Sequence, residues 1–116
     1  MKEYVLLIRL NPAPMTPEIV AAVRNNWAVL REHWEQKGCY VSGNRIVQEG
    51  FLLSGADRVL SKGAVAEDGV RIISTITLLA EDMEAAIELA KACPPLDYGA
   101  TVEVREALPN PVLTGE

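Results

Sequence analysis

From Tyr4 to Leu10 the chain is apolar at almost every position. Tyr4, Leu6, Ile8 and Leu10 share one parity, and Val5, Leu7 and Arg9 share the other, which reads as a strand with two usable faces. Asn11-Pro12-Ala13-Pro14 breaks it. Thr16-Pro17-Glu18 then carries the marks of a helix start: a capping hydroxyl, a proline suited to the first turn, and an acid at the positive end of the dipole. Met15 and Val20 stand at the spacing of a hydrophobic staple. Ile19, Val23, Trp27, Leu30 and Trp34 recur at three- and four-residue steps, which predicts a helix to about Lys37, stopped by Gly38.

A second strand is expected from Cys39 to Ser42, with an extension toward Val47. Glycines at 43, 50, 55, 63 and 69 then punctuate the short apolar pieces Phe51-Leu52-Leu53 and Arg58-Val59-Leu60, a pattern that predicts a short hairpin. Val70 to Ala80 is rich in β-branched residues and is the clearest strand. Asp82 can cap a second helix with Met83, Ala86, Ile87, Ala90 and Cys93 as its core face, ended by Pro94-Pro95; Thr101 to Leu108 is the last strand. The order implies an α+β fold, a ferredoxin-like βαββαβ unit with a short hairpin insertion. Residues 1–108 form one domain and 109–116 a tail.

Two helices cover only one face of such a sheet, and a solvated second face should alternate apolar with polar residues. The first strand does not, because Val5 and Leu7 are as apolar as Leu6 and Ile8. The strand over 70–80 has Ile72, Ile76 and Leu78 on one parity and Ile73 and Leu79 on the other. Residues 43–69 could fold back over that face; a second copy, packed sheet to sheet, is the simplest cover and satisfies closed symmetry. On that reading Ile73 or Ile76 faces the partner.

The net charge of −5, with no stripe of Lys and Arg, argues against nucleic acid. The first apolar stretch is too short for a signal peptide or a membrane span, so a cytoplasmic protein with reduced thiols at Cys39 and Cys93 is expected. One histidine and two distant cysteines make no standard zinc set, and no phosphate-binding loop or serine-nucleophile elbow occurs, so neither a metal nor another cofactor is expected.

Trp27, Lys37-Gly38 leading to Val41-Ser42-Gly43, the helix Glu84 to Ala90, Cys93-Pro94, Tyr98-Gly99 and Val102-Glu103-Val104-Arg105 together resemble the YCII-related proteins, in particular the branch named for a DGPF tetrapeptide. The resemblance covers about residues 3–108 and implies a dimeric α/β barrel. The signature tetrapeptide falls at Lys62-Gly63-Ala64-Val65, where only the glycine and the following Ala66-Glu67 are kept. Founding members resemble enzymes with a His–Asp pair whose histidine lies near the start of the first helix. The lone His33 lies near the end of that helix, so the pair is not carried over and no catalytic residue is assigned.

Three residues are candidates for ligand contact. Arg9 interrupts an apolar strand and can grip a carboxylate or form an ion pair. His33 is the one side chain that ordinarily titrates near neutrality, and Glu67 is a loop carboxylate. Arg105 and Glu103 share one parity of the last strand and are expected at a solvated edge. The function expected is a non-catalytic module that binds a small ligand or a partner protein. The alternative is a cofactor-independent enzyme acting on a small organic molecule in the barrel cleft.

Overall fold

Thr16 and Asp82 start the two helices as their chemistry requires. In the computed structural model, which describes residues 1–63 and 65–109, the Ile19 amide donates to Thr16 Oγ1 (3.2 Å) and the Ala85 amide to Asp82 Oδ1 (2.9 Å). Helix α1 spans Pro17–Gln36 and helix α2 Met83–Ala90. Gly38, at φ +73°, ends α1: its amide donates to Glu35 O and the Cys39 amide to Trp34 O, which satisfies two carbonyls of the last turn.

Six strands accompany them: β1 Lys2–Leu10, β2 Tyr40–Arg45, β3 Phe51–Ser54, β4 Val59–Lys62, β5 Arg71–Ala80 and β6 Thr101–Ala107. Four of them form one sheet in the order β2-β5-β1-β6, with every neighbouring pair antiparallel. The protein is thus α+β with two helices and an antiparallel sheet, an arrangement compatible with the ferredoxin-like fold. Strands β3 and β4 pair only with each other, as a separate hairpin between β2 and β5. Phe51, Leu53, Val59 and Leu60 on this hairpin are all exposed. The tail expected over 109–116 lies outside the described residues from position 110, as does Ala64 of the tetrapeptide.

The parity read for β1 decides the core. Tyr4, Leu6, Ile8 and Leu10 are buried beside Ile76, Leu78 and Ala80 of β5, under Trp34 of α1 and Ala86 and Ala90 of α2. Trp34 is 1% exposed and meets Trp27 edge to face, with ring centroids 6.2 Å apart. The other parity (Val5, Leu7 and Arg9 on β1, Thr75, Thr77 and Leu79 on β5) is half-buried with no helix over it. The protein is 19 Å thick, about one sheet and one helix layer.

Three details depart from the sequence reading. The face of α2 is turned: Ala86 and Ala90 are buried, whereas Met83 and Ile87 are 39% and 40% exposed. Glu84 and Glu88 stand one turn apart and put a polar stripe on the solvent side, so the face opposite them, Ala86, Leu89 and Ala90, turns to the sheet and leaves Met83 and Ile87 on the flank. The helix ends at Ala90, and a 3₁₀ turn over Pro94–Tyr98 follows, with both prolines buried. In β5, Ile76 belongs to the covered core and Ile73 packs against the same cluster, so neither is the residue that marks the open face; Leu79 and Thr77 are. The register of β1 against β5 shifts between Ile8 and Arg9, which breaks the simple alternation near Ile72 and Ile73.

Candidate functional site

Strand β2 is one edge of the four-stranded sheet, and α1 lies near it. Arg24, Trp27, Ala28, Arg31 and Trp34 follow one another at helical steps, so they present one flank of α1 toward Tyr40, Gly43 and Arg45 of β2. The space between is an open cleft of about 520 Å³, floored by Ser74 and Ile76 of β5. Its size is that of ordinary small-molecule sites, which run about 300–1,000 Å³.

Each wall has a physical cause. Trp34 anchors α1 in the core and Trp27, half-buried, borders the opening. The guanidinium carbon of Arg31 sits over the Tyr40 ring, 5.0 Å from its centroid, an attraction between cation and aromatic face. Arg31 also meets Glu35 at 3.3 Å, a one-turn pair exposed on both sides and therefore weak. The Ser74 hydroxyl donates to the Asn44 carbonyl (3.1 Å), which fixes β2 against β5 at the floor.

The charge of the lining is one-sided. Arg24, Arg31 and Arg45 border the cleft, and none of the described aspartates or glutamates does. Among the described residues Arg24 and Arg45 take part in no ion pair. The chain carries 16 acidic and 11 basic residues, so three guanidiniums around one opening run against the overall balance.

Arg9 and Glu67 lie together elsewhere, lining a hollow of about 690 Å³ with Asp68 and Arg71. Its loop turns through Asp68 and Gly69, both at positive φ, and closes by two backbone hydrogen bonds between Glu67 and Val70. Arg9 is already engaged: its guanidinium donates to Glu103, which also accepts from Arg105. The expected edge pair Glu103–Arg105 therefore extends into a three-residue network across β1 and β6. The two arginines hold the Glu103 carboxyl below its usual range, the hydrogen bond from Arg105 contributing most. Arg71 Nε is buried beside this hollow without a hydrogen-bond partner among the described residues, while its Nη1 donates to the carbonyls of Ile46 and Ile72. His33 is exposed on α1 and borders neither space. The structure brings Arg9 and Glu67 to one place and leaves His33 apart from both.

The cleft residues Arg24, Arg31, Tyr40, Gly43 and Arg45 were not singled out from the sequence. One signal was available: Arg24 and Arg31 are two turns apart and flank Trp27 at three and four residues. Cys39 and Cys93 are buried; burial pushes both thiols up, that of Cys93 to about 12. Among the described residues no group of three His, Cys, Asp or Glu side chains could hold a metal ion. Among those residues, too, no helix is long and apolar enough to cross a membrane. In comparison with known proteins, no family model matches this chain and no curated protein matches it.

Proposed function

We propose that this chain is a homodimeric small-ligand-binding module of the YCII-related kind, with its ligand in the cleft between α1 and β2. The observation that carries the reading is the cleft itself: about 520 Å³, open, and bordered by aromatic rings and by two guanidiniums, those of Arg24 and Arg45, that take part in no ion pair among the described residues. Binding is preferred to catalysis because, among the described residues, the lining holds no carboxylate or histidine, and so no acid–base pair for proton transfer.

The dimer is supported by the open sheet face. Val5, Leu7 and Leu79 are half-buried within one chain and have no helix over them, and a second sheet about 10 Å away would cover them. Two such faces packed together make the dimeric α/β barrel, and leave the α1–β2 cleft on the outer side of each sheet.

The test uses the tryptophans. Small fragments of varied charge and shape are titrated into the protein while indole emission is followed. At least one is expected to shift or quench that emission saturably, and Trp27→Phe to weaken the response. A varied set with no saturable effect contradicts the ligand reading.

A further inference from the structure

We propose that the cleft between α1 and β2 selects an aromatic carboxylate, an inference that rests on the ligand-binding reading above and narrows it. Three guanidiniums border an opening that none of the described acidic side chains lines, in a chain whose net charge is −5. Two of them, Arg24 and Arg45, approach from opposite walls, one on the helix and one on the strand, and neither has an ion-pair partner among the described residues. Guanidinium forks match a planar carboxylate with two parallel hydrogen bonds, which makes such pairs both strong and directional.

The rest of the lining favours a flat apolar body over an aliphatic one. Trp27 and Tyr40 offer ring surfaces and Ala28 leaves room between them. The Arg31 guanidinium already lies over the Tyr40 ring, 5.0 Å from its centroid, so a ligand ring entering there meets both a cation and an aromatic surface. Gly43 belongs to the same design: a Cβ at that position would lie 2.7 Å from the Tyr40 hydroxyl, so the tyrosine reaches across β2 only because Gly43 has none.

A polyphosphate is the poorer match. The cleft begins at Arg24, about two turns into α1, so the free first-turn amide of Glu18 is roughly 10 Å away. Among the glycines only Gly43 lines it, so there is no glycine-rich backbone to cradle phosphates. Charge recognition falls to side chains alone.

Tryptophan emission under titration with benzoate, benzamide, acetate and phenyl phosphate tests this. Benzoate should bind at least about ten-fold more tightly than benzamide, which keeps the ring and loses the charge, and than acetate, which keeps the charge and loses the ring. Arg24→Gln and Arg45→Gln should each weaken benzoate about five- to ten-fold with an unchanged melting temperature, since both side chains are exposed. Equal binding of benzamide and benzoate overturns the anion inference and leaves the ligand reading standing. Phenyl phosphate binding more tightly than benzoate overturns the carboxylate. Response to none of the four overturns this inference, whereas the ligand reading falls only if the wider fragment set is also silent.

Discussion

The Tyr40 hydroxyl occupies the space that a Cβ on Gly43 would need, 2.7 Å from its ideal position. Gly43→Ala therefore forces the ring end to move. Overpacking costs about 1–3 kcal/mol in a closed core, but here the displaced group is the tip of a half-buried side chain beside an open cleft. Replacing glycine in a strand also recovers about 0.5–1 kcal/mol of backbone entropy. The net change in stability should stay within about 1 kcal/mol by denaturant titration, while benzoate affinity falls several-fold as the Arg31–Tyr40 contact is displaced.

Leu7 lies at the centre of the open face, opposite Thr75 on one side and Glu103 on the other. Leu7→Asp places a charge where the proposed partner sheet would bury it, at a cost of several kcal/mol to association. Light scattering should give about twice the 12.6 kDa chain mass for the unmodified protein and a single-chain mass for the variant. A single-chain mass for the unmodified protein contradicts the barrel.

Burial raises both thiols, so little thiolate forms at Cys39 or Cys93 near neutrality. In the folded protein at pH 8 a disulfide-exchange reagent should label neither cysteine within minutes. In denaturant both should react at once. Fast labelling of Cys93 in the native protein would show that the turn between α2 and β6 opens.

Glu103 has a folded-state acidity greater than in the unfolded chain, because Arg105 and Arg9 both donate to it. A lowered folded pKa means that its contribution is complete above the unfolded value, about pH 4–5, and is lost as pH falls through the lower folded one. The melting-temperature advantage of the unmodified protein over Glu103→Gln should therefore be present at pH 7 and shrink below about pH 4. A difference that grows on acidification would contradict the network.

How much of this could be read from the chain depends on what sets each feature. Tyr4, Leu6, Ile8 and Leu10 were legible as one face because strand parity has a strict period of two, but with Val5 and Leu7 equally apolar the parity did not say which face the helices cover. Thr16, Asp82 and Gly38 were legible because helix ends demand particular chemistry. The face of α2 was legible too, in the polar pair Glu84 and Glu88 one turn apart, whose opposite side is Ala86 and Ala90; choosing Met83 and Ile87 by their bulk overlooked it. The cleft was hidden. Arg24 and Arg31 look like an ordinary solvated flank of α1, and only the return of β2 along β5 brings Arg45 and Tyr40 opposite them. Arg9 and Glu67 could be named from sequence, but the Arg9–Glu103 contact depends on the register of β1 with β6.

The most direct test of the account is an amide NMR map of the ¹⁵N-labelled protein under benzoate titration. Saturable shift changes centred on residues 24–34 of α1 and 40–45 of β2, with 65–71 unaffected, are the predicted result. Changes confined to the hollow around Arg9 and Glu67, or none at all near α1 and β2, would contradict it.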